Sequence, residues 1–315
     1  MPELKWSPEQ LIRCIAFVNG KGGVGKTSLV ANLAGLYAGG GYKVLIVDLD
    51  PQGNVGNDLG YIGAGRSDDA EALVSAISTG HAIIPLTNVR PNLDVACGGE
   101  QLDELSDALE AGHGGGVTAL AAALAQVAEN YDLVLIDCPP GNKPLQRLGL
   151  AAARWLVIPT KSDDGSRLGL AKVARLFTEI REEVNPWIEL LGVVLFGVGS
   201  TATRVQNSVR ADLGQDLDNP GIVFTSTIRH AEAAAYDARK RGQLMHELER
   251  DVATAPKWHE RFKTGKKAET LAASAGTVAG DYQRLAEELI DRIVAAETVD
   301  LNDRVDVLEG QEVQP

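Results

Sequence analysis

Eight consecutive residues carry the densest chemistry in this chain of 315: Gly20, Lys21, Gly22, Gly23, Val24, Gly25, Lys26 and Thr27. Their order fits GxxxxGK[ST]. Glycines let successive backbone N–H groups curl round one anion, because no side chain stands in the way. Lys26 is placed to reach the β- and γ-phosphates of a nucleotide, and the Thr27 hydroxyl to ligate Mg²⁺. Ser28 follows at the end of the loop. The apolar run Cys14–Val18 leads in, and helical apolar spacing over Ser28–Tyr37 leads out. A helix beginning near Lys26 would add its positive end to the same phosphates.

Acids complete the set. The segment Tyr131-Asp132-Leu133-Val134-Leu135-Ile136-Asp137 is four apolar residues ending in a carboxylate. An acid at the carboxyl end of a parallel strand lies where such sheets bind ligand, and Asp137 would hold Mg²⁺ through a water. A second pair, Asp48 and Asp50, ends the run before Pro51-Gln52-Gly53-Asn54. Those two acids suit a catalytic loop, although Asp-Pro-Gln-Gly is also turn-prone and could be a solvated bend.

Elements that position these residues are legible as short apolar runs. Cys14–Val18, Lys43–Asp48, Leu93–Ala96, Tyr131–Asp137, Trp155–Pro159, Leu190–Phe196 and Ile222–Thr225 read as strands. Most are continuous Val, Ile and Leu, as expected when helices cover both faces. Helical spacing fills the intervals at Ser28–Tyr37, Ala70–Ser78, Val117–Glu129, Leu168–Val184 and Val205–Leu217. The expected fold is therefore α/β, a doubly wound, mostly parallel sheet flanked by helices. Residues 1–250 read as the nucleotide domain and 251–297 as a helical extension packed on it, with Asp281–Glu297 amphipathic. Residues 298–315, with five acids and one base, read as a disordered acidic tail.

Lys21 directly after the first glycine makes the loop a deviant Walker A motif, KGGVGKTS. With VDLDPQGN at 47–54 and IDCPP at 136–140, the chain resembles the ParA partition ATPases. The softer matches Gly169-Leu170, GVVLFGV at 192–198, Thr203-Arg204 and STIRHAEAAAYD at 226–237 extend the likeness from about Arg13 to Glu249. The resemblance implies an ATP- and Mg²⁺-dependent homodimer with slow, partner-stimulated hydrolysis. Lys21 would cross to the partner's nucleotide, Asp50 would orient the attacking water, and Asp48 would stand near the Mg²⁺ water shell. It also implies nonspecific DNA binding, with Arg204 and Arg229 the first candidates and Arg210 beside them. A ParB-like centromere-binding protein or a cargo adaptor would reset the cycle. The cargo would be a plasmid, a chromosome or another body moved on the nucleoid. A MinD-like spatial regulator or cargo-positioning scaffold is the alternative.

Charge sets limits on these readings. Lys and Arg number 30 against 43 Asp and Glu, a net of −13. That excess is uneven: Asp58–Glu110 holds ten acids and two bases, whereas 201–267 holds twelve bases and nine acids. A basic segment can meet DNA phosphates even in an acidic chain, more readily when two subunits pool it. The stretch 257–267 interleaves bases with aromatics, an accessory-contact composition or a plain surface loop. Three widely spaced cysteines and five scattered histidines give no metal-cage spacing. No apolar run approaches a membrane span, and the last helix is acidic, so a cytoplasmic, nucleoid-associated protein without a membrane anchor is expected. About a dozen residues precede the first strand, so no helix-turn-helix domain is expected there.

Overall fold

The computed structural model describes residues 6–162, 164–199, 203–217, 219–254, 272 and 274–311. Eight strands form one sheet: β1 (Cys14–Phe17), β2 (Val44–Asp48), β3 (Leu86–Arg90), β4 (Leu93–Ala96), β5 (Leu133–Asp137), β6 (Trp155–Thr160), β7 (Glu189–Val198) and β8 (Val223–Arg229). Their order is β3-β4-β2-β5-β1-β6-β7-β8. All neighbours are parallel except β3 and β4. The strand after β1 lies to one side of it and β6 to the other. β1 therefore stands at the switch point, where a crevice opens beyond the strands' carboxyl ends.

Eleven helices are described. They are α1 (Lys26–Gly39), α2 (Asn54–Asp58), α3 (Glu71–Thr79), α4 (Gln101–Glu110), α5 (Ala119–Ala125), α6 (Lys143–Ala151), α7 (Asp164–Glu183), α8 (Thr203–Asp216), α9 (Glu232–Arg241), α10 (Met245–Thr254) and α11 (Ala275–Gln311). They build a core on each face of the sheet. Cys14, Ala16, Leu45 and Val47 join Leu120 of α5, Leu145 of α6 and Ile180 of α7. Ile15, Phe17, Val44 and Ile46 join Leu29 and Leu33 of α1, Leu248 of α10 and Leu285 of α11. Alternate residues of each central strand thus enter opposite cores, which is why those strands carry no polar alternation.

The sheet matches the expected class, with two differences. β3 was not expected: Leu-Thr-Asn-Val-Arg is an edge strand with only Val89 buried, so it lacks a continuous apolar run. The last helix does not stop near Glu297 but continues to Gln311, into the stretch expected to be a disordered tail. Leu301, Val305 and Leu308 keep i, i+4, i+7 spacing there, and acids alone do not break a helix. The basic–aromatic stretch 257–267 lies outside the described residues.

Candidate nucleotide site

The loop Gly20–Gly25 leaves β1 and enters α1 at Lys26. Gly25 caps the helix at φ 87°, and a Cβ there would lie 2.4 Å from the Phe196 ring, so both backbone and space demand glycine. Asn19, fully buried, fixes the base of the loop. Its Nδ2 donates to the Pro159 carbonyl at 2.6 Å, and its Oδ1 accepts from Lys21 N at 2.8 Å. The Lys26 ammonium donates to the Lys21 carbonyl at 3.3 Å, which keeps it folded back under the loop. Thr27 and Ser28 occupy the first turn of α1, while Gly22 and Gly23 are exposed at the loop's tip and Val24 is buried beneath it. Lys21 stands half-buried beside that tip.

Asp48 and Asp137 end neighbouring strands and are register partners. Asp48 has its carboxylate committed to the chain that follows. Oδ1 accepts from Asp50 N at 3.0 Å and Oδ2 from Val55 N at 3.3 Å. Gly98 allows the loop after β4 to pack on this group: a Cβ there would be 2.6 Å from Asp48 Cγ. The turn so formed presents Asp50, whose Oδ1 accepts from Gln52 N at 2.9 Å. Asp50 shares with Lys26, Thr27 and Ser28 a cavity of about 700 Å³.

Asp137 is different. It is fully buried, and neither carboxylate oxygen has a hydrogen-bond partner. Burial pushes its pKa up to about 7, against the Thr27 hydroxyl and the Lys26 ammonium, which pull it down. Burial likewise raises Asp48 well above the carboxylate range, with Asp137 adding to the effect. Burial lowers the Lys26 pKa, and Asp137, Cys138 and Asp50 oppose that. Asp137 and Asp50, both buried, therefore face the buried Lys26 ammonium, with Asp48 adjoining the two acids. Orphaned oxygens in such a place fit a hard divalent cation held by one or two carboxylates, a hydroxyl and phosphate oxygens. Asp137 and Thr27 are the residues that would hold it, with Asp48 behind them.

The three arginines expected to meet DNA are not brought together. Arg204 is exposed on the first turn of α8. Arg210 is half-buried, and its guanidinium caps the Phe224 and Thr225 carbonyls of β8, the latter at 2.7 Å. Arg229 turns toward α11 instead of a free surface. Its Nε and Nη2 donate to Asp281 at 2.6 and 2.8 Å, and its backbone N–H joins them at 3.1 Å. It thereby lines the nucleotide cavity. Asp281 is buried and 52 residues away, so nothing local in the sequence marks the pair. Asn19, Gly98, Phe196, Asp58 and Arg239 also belong to the site without having been singled out. Asn19 had a local cue, since it abuts the glycine loop.

A glycine loop at a helix N-terminus, a buried lysine and strand-end carboxylates on a doubly wound sheet define a P-loop nucleotide-binding protein. A family model described as an AAA domain matches residues 12–190. The chromosome-partitioning ATPase Soj of Thermus thermophilus is 33% identical over 297 residues, covering 90% of this chain and 98% of its own. The chromosome partitioning protein ParA of Caulobacter vibrioides is 30% identical, covering 71% and 85%. A solved structure described as cobyrinic acid a,c-diamide synthase from Mycobacterium smegmatis, with bound ADP and magnesium, is 26% identical. It superposes with a TM-score of 0.60 over 82% of this chain and 99% of that one. The chain belongs to the ParA/Soj family of partition ATPases. Among the described residues, no helix is long and apolar enough to cross a membrane.

Proposed function

We propose that this chain hydrolyses ATP in an Mg²⁺-dependent cycle that switches a homodimer on and off nonspecific DNA. The cycle segregates or positions a plasmid, chromosome or other cargo. Lys26 and the loop amides bind the β- and γ-phosphates. Asp50 orients the attacking water, and Asp48 fixes the turn that carries Asp50. Mg²⁺, when bound, neutralises phosphate charge beside Thr27 and Asp137. Lys21 lends positive charge to the partner's nucleotide as negative charge develops on the transferred group. A ParB-like protein or cargo adaptor accelerates a slow basal turnover, and released subunits exchange ATP before returning to the nucleoid.

The observation that carries this reading is the orphaned Asp137 carboxylate, buried beside Lys26 and Thr27 under a lysine-bearing glycine loop. Light scattering of the Asp50→Ala chain tests it. With ATP and Mg²⁺ this variant should persist as a dimer, because binding survives and turnover does not. A variant that stays monomeric while binding ATP at wild-type strength would remove the dimer cycle.

A further inference from the structure

A second buried carboxylate lines the nucleotide cavity. Asp58 is the last residue of α2 and its side chain is 10% exposed. Its Oδ2 accepts from the Ser28 hydroxyl at 3.3 Å, one residue beyond Thr27. It lines the same cavity as Lys26, and its field reaches Asp137. A negative charge so close to the phosphate loop opposes a polyanion, and the sheltered setting screens it poorly. The phosphate chemistry described above gives no use for it.

Arg239 answers that charge. It projects from α9, and its Nε donates to Asp58 Oδ1 at 2.8 Å. The arginine side chain is 52% exposed, so the pair is lopsided: a fixed, sheltered acid and a cation reaching in from solvent. Both residues line the cavity. We infer that Arg239 is an electrostatic positioning residue for nucleotide binding, neutralising Asp58 so that the cavity beside Ser28 accepts a polyphosphate. Removing the cation leaves Asp58 sheltered and uncompensated beside the phosphates. Removing the acid frees the cation to act on the ligand. The pair also ties α2, which directly follows the Asp48–Asp50 turn, to α9, so a purely mechanical tether is the rival role.

This inference rests on the cavity being the nucleotide site, and a double-mutant cycle separates the two claims. ATP affinity is measured by titration calorimetry for the wild-type chain, Arg239→Ala, Asp58→Asn and the double variant, with Arg239→Lys as the charge-preserving control. Arg239→Ala should weaken ATP binding at least tenfold, Asp58→Asn should tighten it, and the double variant should return to within about threefold of wild type. Arg239→Lys should recover most of the loss. If Asp58→Asn weakens binding as much as Arg239→Ala does, the pair is a tether and the inference fails while the nucleotide site stands. Unchanged binding in Arg239→Ala overturns it equally. A wild-type chain that binds no ATP overturns the proposed function together with the inference.

Discussion

Asp48 and Asp137 are register partners at the ends of adjacent parallel strands, both fully buried, yet only Asp48 is committed to backbone amides, while Asp137 faces the Thr27 hydroxyl and the Lys26 ammonium. One acid builds the turn that carries Asp50. The other keeps both oxygens uncommitted beside Thr27 and Lys26. That division separates a residue that shapes the loop from the one proposed to meet the cation, and it makes the two substitutions distinguishable. Asp137→Asn should fold, since it removes a buried charge whose burial cost is only partly offset by Lys26 and Thr27, and should lose Mg²⁺-dependent nucleotide retention by at least tenfold. Asp48→Asn should disturb the loop itself. Nucleotide release followed with and without Mg²⁺ checks the contrast: the Mg²⁺ effect should vanish in Asp137→Asn.

Lys26 is buried and folded back onto the Lys21 carbonyl, so its ammonium is aimed before any nucleotide arrives. Lys26→Gln should keep the fold and weaken ATP binding by about a hundredfold or more, as loss of a charged contact to phosphates in a sheltered site requires. Titration calorimetry measures it; binding at wild-type strength would remove Lys26 from the site.

The proposed role of Asp50 is in turnover, not in binding. Asp50→Ala should lower the hydrolysis rate by about two to four powers of ten, the range expected for a positioned acid–base group. ATP affinity should change by less than about threefold. Phosphate release under saturating ATP, compared with affinity for the same variant, separates the two effects.

Glu288 gives a pH dependence unrelated to the nucleotide. Its carboxylate accepts from Thr225 N and Ser226 N, both at 2.8 Å, and pairs with Arg292, pinning α11 to β8. Burial raises its pKa, but those amides and Arg292 outweigh burial and hold it below the usual 4.5. A depressed folded-state value means stability that is present above 4.5 and lost as pH falls through the folded value. Glu288→Gln should therefore melt lower than wild type near pH 7, with the gap narrowing as pH falls below 4.5. Thermal melts across that range follow it; a gap independent of pH would show that hydrogen bonding alone, without charge, does the work.

The sequence made the central sheet and phosphate loop plain because their physics is local. Strands covered on both faces read as uninterrupted apolar runs, and Gly20–Thr27 is contiguous. Leu86–Arg90 escaped notice because an edge strand buries one residue and leaves its polar neighbours in water. Arg229 and Arg210 lie in a basic segment, and it is the family resemblance that makes them candidates for a DNA surface. Their guanidiniums engage Asp281 and the carbonyls at the start of β8, partners set by tertiary packing that the sequence does not show. Asp58 and Arg239 lie 181 residues apart, and no spacing rule joins them.

Of the three candidate arginines, Arg204 is the exposed one with no such engagement among the described residues, so substitutions should divide them. Arg204→Ala should weaken ATP-dependent DNA binding several-fold and reduce its salt slope by about one, the signature of a lost phosphate contact. Arg210→Ala should chiefly lower the melting temperature. Affinity measured at several salt concentrations, beside thermal melts, tells them apart.

The central claim is that nucleotide gates DNA binding. Retention of nonspecific duplex DNA, measured with no nucleotide, with ADP–Mg²⁺ and with ATP–Mg²⁺ over a salt series, tests it most directly. DNA should be held only with ATP–Mg²⁺ and released steeply as salt rises. Binding that is the same in all three nucleotide conditions, or absent from all of them at low salt, would contradict the account.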